Sequence, residues 1–305
     1  MPIRPALLFW RVLYVMNEKL KLYLDWKGSY AYRASINYRI WLEKFIQLCG
    51  DKNLEEYDIS DVVKYKNYLE SHYSSYSNQY AIVILKNFFQ FFKYQGCVCI
   101  NPSLIRIPRI NPKSHRAVTE EEFRKIDSVI PCNEFRLLRD KVILNLLWDT
   151  GVRVSELCDL DISNVNENKT STVISTKKTG NKRIIVWSKE THELLMKYMP
   201  IRLKLNTING AVALFVGAPT GKRWTVRLTT KMVQRRIKVY VDRAGINERI
   251  TPHSFRHGWA HKRRDLNASL AFIQRGLGHI SPVSTFVYQQ YCDNEFETNA
   301  NSYLI

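Results

Sequence analysis

Apolar positions in the first hundred residues recur at helical spacing. Trp41, Phe45 and Leu48 stand four and three apart, on one face of a predicted helix that Gly50 can close. Asp58 or Ser60 can cap a second helix, which carries Val62, Val63, Tyr65 and Tyr68. Ser77 opens a third, Tyr80 to Tyr94, with Gly96 just past its end as a stop. Its Phe88, Phe89, Phe91 and Phe92 are expected in a core, because an aromatic stripe on an amphipathic helix faces its neighbours. Asn101-Pro102 ends this stretch. From Arg106 to Arg116 the pattern stops: prolines stand at 108 and 112, bases at Arg106, Arg109, Lys113 and Arg116, and no acid intervenes. Proline stiffens the backbone and withholds donors, so this segment reads as an extended basic linker suited to lie along phosphates.

Helical patterning resumes at Thr119, where Thr119 and Glu122 have capping-box spacing. A helix through Val142, Leu144, Leu146 and Leu147 ends at Gly151. After Asp159 the period changes. Ser171–Thr176 and Arg183–Trp187 are rich in β-branched residues, and Lys177-Lys178-Thr179-Gly180-Asn181 between them reads as the turn of a hairpin. Ala213–Val216 is expected to add a third short strand. Helices return from Thr229, with Gly245 as a stop and Thr251-Pro252 as cap and first-turn proline. The pattern predicts a mainly α protein with a small antiparallel β-sheet, in two domains. The expected divisions are an N-terminal extension over 1–15, a helical domain over 16–105, the linker over 106–116, a mixed domain over 117–292 and a tail over 293–305. The apolar run Ala6–Met16 is short and broken by Arg11, and reads as a packing helix or as residues upstream of a start at Met16.

Charge narrows the partner. Lys and Arg number 46 against 28 Asp and Glu, a net charge of +18 in 305 residues. Such an excess favours a polyanion, since neutralising backbone phosphates releases counterions. It is concentrated between residues 231 and 264, with ten bases against Asp242 and Glu248. Of these, Lys231, Arg235, Arg236 and Lys238 on one predicted helix are candidates for DNA contact. The six cysteines are scattered, and Cys97-Val98-Cys99 lacks a second pair at zinc-finger spacing, so neither a disulfide framework nor a zinc site is expected. No stretch approaches the roughly 18 to 20 apolar residues of a membrane span, so no membrane association is expected, and a cytoplasmic location is.

Chemistry enters with four short runs in order: Thr150-Gly151-Val152-Arg153-Val154-Ser155-Glu156-Leu157, the Lys178 hairpin, Thr251-Pro252-His253-Ser254-Phe255-Arg256-His257, and Leu277-Gly278-His279 followed nine residues later by Tyr288. Arginines, histidines and a tyrosine together suit attack on a phosphodiester without a metal. A helix beginning near Arg153 would add backbone N–H groups to an anion site. Glu156, three residues on, either orients a basic neighbour or forms an ordinary surface ion pair.

Thr-Gly-x-Arg-x-Ser-Glu-Leu, the Lys-Thr-Gly hairpin, His-x-x-Arg-His, Leu-Gly-His and a tyrosine nine residues further resemble, in this order, the tyrosine recombinase (phage integrase) family. The likeness runs from about Met16 onward, and the helical N-terminal region resembles that family's core-binding domain. The resemblance implies a site-specific recombinase that cleaves and rejoins duplex DNA through a 3′-phosphotyrosyl bond. It implies that Arg153 and Arg256 grip the non-bridging oxygens, Lys178 protonates the departing 5′ oxygen, His253 assists proton transfer, His279 donates a hydrogen bond and Tyr288 attacks. Lys177 and Lys182 compete with Lys178, and Tyr291 with Tyr288, but only the latter of each pair keeps the family spacing. His257 is expected to serve packing or capping, and His115 at most to touch phosphate. Phe255 stands where the family often has leucine, and Gly258 is an unusual choice inside a helix, costing up to about 1 kcal/mol against alanine. No metal or nucleotide cofactor is implied. The implied partners are a specific double-stranded DNA site and three further copies in a DNA-bound homotetramer, with a partner recombinase or accessory protein left open. A topoisomerase-like relaxing enzyme and a non-enzymatic DNA-binding accessory protein are the competing readings.

Overall fold

The computed structural model describes residues 15–110, 116–175, 180–205, 212–217, 226–286 and 288. The chain divides into two compact units, Met1–Lys113 and Ser114–Ile305.

The first unit is helical: α1 (Val15–Cys49), α2 (Ile59–His72) and α3 (Ser75–Tyr94). Gly50 closes α1 at φ +92°. Asp58 caps α2 by accepting from the backbone N–H groups of Ser60 and Asp61. The start of α3 lies earlier than the pattern predicts: Ser74 is the cap and accepts from the Ser77 N–H, so Ser77 lies within the first turn. Phe45, Tyr65, Phe88, Phe89 and Phe92 are buried and Phe91 packs against them. Edge-on rings such as Phe45–Tyr65 and Tyr23–Phe88, with centroids 5.3 and 5.2 Å apart, fill this core. On α2, Val63 faces solvent, as does Ile59. The backbone beyond Ile105 stays against this unit, where Gln79 Nε2 donates to the Pro108 carbonyl at 2.8 Å. Residues 111–115 of the basic segment, Lys113 and His115 among them, lie outside the described residues.

The second unit contains α4 (Glu120–Ser128), α5 (Phe135–Thr150), α6 (Val154–Cys158), β1 (Ser171–Ser175), β2 (Lys182–Val186), α7 (Lys189–Leu203), β3 (Val216–Gly217), β4 (Val226–Arg227), α8 (Thr230–Arg243), α9 (Pro252–Asp265), α10 (Leu270–Leu277) and α11 (Val283–Phe286). Val142, Ile143, Leu146 and Leu147 place α5 at the centre of its core. β1 and β2 pair antiparallel, from Ser171 opposite Val186 to Ser175 opposite Lys182. The expected third strand does not extend this hairpin. Val216–Gly217 pairs instead with Val226–Arg227 as a separate two-stranded ladder, and Ala213 makes only an isolated bridge to Asp161. The fold is thus mainly helical with two small antiparallel sheets.

Gly258 reads differently in three dimensions. A Cβ there would lie 2.4 Å from the Val118 carbonyl oxygen and 3.2 Å from Trp148. The glycine lets α9 approach the strand of chain entering α4, where the Val118 N–H donates to the Ser254 carbonyl at 3.0 Å. Its propensity cost is offset by that close packing, and α9 continues unbroken to Asp265.

Candidate active site

The site is assembled from four places in the sequence by the ends of α5, α9 and α10 and by the hairpin. Gly151 stops α5 in the left-handed conformation, φ +59°, and a Cβ there would come within 2.9 Å of the Trp259 ring on α9. Two residues later Arg153 caps the short α6. Its backbone N–H donates to Glu156 Oε2 at 2.9 Å and its guanidinium to Oε1 at 3.0 Å. The N–H of Arg153 itself is therefore taken by Glu156.

That carboxylate is no surface partner. The Glu156 side chain is 4% exposed and also receives Arg183 of β2 in a fork, Nη1 to Oε1 at 2.9 Å and Nη2 to Oε2 at 2.7 Å. Planar, forked pairing of this kind fixes orientation as well as charge. The third donor of Arg183, Nε, reaches the Gly276 carbonyl at 3.0 Å. Gly278, at φ +64°, lies against Arg183, where a Cβ would meet Nη1 at 2.8 Å. One buried arginine thus ties the hairpin to α6 and to the end of α10. The sequence contains a signal for it, an arginine on an inward strand position opposite Ile174, but no local motif marks it as part of the site.

Arg256 is 4% exposed and is held without a carboxylate of its own. Its guanidinium donates to the Gly151 carbonyl at 2.8 Å and to the Leu277 carbonyl at 2.5 Å. Burial first, then the charges of Arg153 and Arg183, pull it down to about 9, with Glu156 opposing. The same guanidiniums act on His279, which burial and then Arg256, Arg153 and Arg183 push down to about 4. His279 is therefore neutral near pH 7, and its Nδ1 is 2.8 Å from the hydroxyl of fully buried Thr285. Three guanidiniums around one carboxylate leave local positive charge that an anion can relieve. A cleft of 380 Å³ beside them is lined by Lys182, Arg183, Gln274, Arg275 and His279.

Tyr288 lies with Trp259, Ala260, Ile273 and Leu277 in an apolar cluster and is 4% exposed. Burial raises its phenol above the ordinary value, while Arg256 and Arg153 oppose the rise. Its hydroxyl is 2.8 Å from His257 Nδ1. The expected packing or capping role for His257 gives way to this contact. His253, one turn before, is exposed in the first turn of α9. Lys177, Lys178 and Tyr291 lie outside the described residues.

The predicted DNA-contacting bases separate into two groups. Arg106, Arg109, Lys231, Arg235 and Lys238 are exposed. Arg236 is turned inward instead: its Nε donates to buried Asp140 at 2.6 Å, and its guanidinium lies 4.9 Å from the Tyr240 ring centre. Arg116 is engaged by Glu122 and Glu248. Both charges are thus paired with carboxylates, unlike those of the exposed group. Among the described residues no group of three or more His, Cys, Asp or Glu is placed to hold a metal ion, and no helix is long and apolar enough to cross a membrane.

Fold and site together define a class: a mainly helical protein that collects arginines and a neutral histidine beside a buried tyrosine. Comparison with known proteins agrees. The sequence profile of the phage integrase family matches residues 116–296. The tyrosine recombinase XerA of Pyrococcus horikoshii is 32% identical over 273 residues, covering 89% of this chain and 87% of its own. The crystal structure of a XerA recombinase aligns with 94% of this chain and 98% of its own at TM-score 0.54 and 26% identity. The XerH recombinase, crystallised with a palindromic difH substrate after cleavage, shares the fold at TM-score 0.75 and 18% identity, over 94% and 84% of the two chains. This chain belongs to the phage integrase family of tyrosine recombinases.

Proposed function

We propose that this recombinase binds a specific duplex DNA site, cleaves one strand by attack of Tyr288 and rejoins it to a new partner strand. The observation that carries this reading is the convergence on Tyr288: it packs against Leu277, whose carbonyl accepts from Arg256, and the other Nη of Arg256 binds the Gly151 carbonyl two residues before Arg153. A phosphate placed there meets forked donors whose charge is preorganised before reaction, which favours the phosphorane over the ground state. Neutral His279 adds a hydrogen bond when Nε2 carries the proton, the tautomer selected if the Thr285 hydroxyl donates to Nδ1.

The chemistry conserves bonds. The Tyr288 oxygen forms a bond to phosphorus as the 5′ oxygen leaves, and the 3′-phosphotyrosyl ester keeps the energy for rejoining. Lys178 supplies the proton to the 5′ oxygen, and His253 assists proton transfer at the site. Exposed Lys231, Arg235 and Lys238 on α8, with Arg106 and Arg109 in the first unit, provide phosphate contacts. The exchange proceeds in a homotetramer on DNA in the cytoplasm.

Because guanidiniums supply the charge stabilisation, cleavage should run in excess EDTA. A nicked suicide duplex carrying the recombination site, incubated with the protein and EDTA, should yield a covalent adduct that survives denaturing electrophoresis. Adduct formation only on adding Mg²⁺ would contradict the mechanism.

A further inference from the structure

Attack by a tyrosine requires somewhere for its proton to go, and the structure supplies a neighbour other than the one the family resemblance suggests. His257 and His261, four residues apart on α9, both face Tyr288. The His257 ring centre is 5.6 Å from the tyrosine ring, and the His261 ring meets it edge-on at 5.7 Å. The His257 pairing brings a ring nitrogen to the reacting oxygen, Nδ1 at 2.8 Å. A phenol donates better than its oxygen accepts, so the favoured arrangement has the hydroxyl donating to an unprotonated Nδ1 with Nε2 carrying the hydrogen. The tyrosine is buried among Trp259, Ala260, Ile273 and Leu277, where a free phenolate is disfavoured and a resident acceptor matters most.

We propose that His257 is the general base of strand cleavage, accepting the Tyr288 proton at Nδ1 as the phenolic oxygen bonds to phosphorus. The inference rests on the reading of Tyr288 as nucleophile. The step balances: one proton passes from Tyr288 to His257, giving an imidazolium, while the leaving 5′ oxygen takes a separate proton from its own acid. Rejoining returns both. Charged and titratable groups around the pair are His261 and Arg256 on α9 and Arg153 at the start of α6. His279, held down to about 4, does not titrate between pH 6 and 8, and Arg256, at about 9, stays largely charged there.

The test is single-turnover cleavage by the full chain between pH 6 and 8. A 5′-bridging phosphorothiolate substrate is used, whose leaving group needs no proton, so only the base is read. His257→Ala should be slower by about 10²- to 10⁴-fold at pH 7, and its rate should climb about tenfold per pH unit as solvent pre-forms the phenolate. Wild type should instead show a shallower rise, because the proton passes to a resident acceptor within the step. His257→Asn, which keeps a hydrogen-bonding group near the Nδ1 position but cannot take the proton, should follow the slow, rising profile. It also carries the test if the alanine variant fails to fold, judged by thermal melting and DNA gel shift. Wild-type rates in His257→Asn would show mere placement and overturn the proposal. So would an alanine profile parallel to or faster than wild type, or the rising slope in His253→Ala instead. Tyr288→Phe is run alongside: if it still cleaves, the nucleophile assignment itself has failed, whatever His257 does.

Discussion

Tyr288→Phe should lose covalent capture of a nicked suicide substrate by more than about 10⁴-fold while still shifting the same DNA in a gel. The substitution removes one oxygen and one hydrogen bond, to His257, and leaves the ring in its cluster with Trp259, Ile273 and Leu277. Volume is nearly conserved and phenylalanine suits the apolar surroundings, so the fold and the exposed bases of α8 are unaffected. On the proposed mechanism nothing substitutes for it, because the phenolic oxygen would be the atom that joins phosphorus. An adduct in Tyr288→Phe that disappears in Tyr291→Phe would move the nucleophile three residues on and break its spacing from His279.

Lys178→Ala should slow cleavage of an ordinary phosphodiester by roughly 10²- to 10⁴-fold, the usual worth of a general acid. An alkoxide is a poor leaving group without a proton. A 5′-bridging sulfur leaves without one, so the same variant should cleave the phosphorothiolate at close to the wild-type rate. Arg153→Ala should gain nothing from sulfur if, as proposed, its guanidinium acts on charge at the non-bridging oxygens. The two variants thereby separate proton supply from charge stabilisation within a single assay. Rescue of Lys177→Ala or Lys182→Ala by sulfur, with Lys178→Ala still impaired, would shift the acid along the hairpin.

Much of this architecture is legible in the sequence because local signals carry it. Thr119 with Glu122, Asp58 before α2, Gly151 after α5 and Thr251-Pro252 before α9 mark their helix ends with the caps and stops that local physics favours. Distant pairing was harder to see. Val216–Gly217 finds its partner at Val226–Arg227, so nothing near Ala213 distinguishes a third strand from a separate ladder. Gly258 looks unfavourable until the Val118 carbonyl is placed against it, a contact between residues 140 apart in sequence.

The site divides in the same way. Arg153, Arg256, His279 and Tyr288 stand in recognisable short runs, and the structure brings the charges of the first two to bear on the others. What holds them does not stand in those runs. Arg183, which binds Glu156 from the hairpin, and Thr285, which meets His279, are ordinary in their local sequence and acquire meaning only through contacts across the fold. Arg236 shows the converse. It belongs to a basic run on α8, yet Asp140 lies 96 residues away and takes its charge inward. His257 stands beside Arg256 in the sequence, but helical spacing alone does not reveal that the chain returns at Tyr288 to meet it.

The most direct measurement is the identity of the residue joined to DNA. Adduct formed on a suicide substrate in EDTA, digested with trypsin and nuclease, should give by tandem mass spectrometry one peptide bearing a nucleotide on Tyr288, linked through its 3′ phosphate. A nucleotide on Tyr291 or on a serine, a 5′ linkage, or no covalent peptide from a substrate that is nonetheless cut would contradict the account.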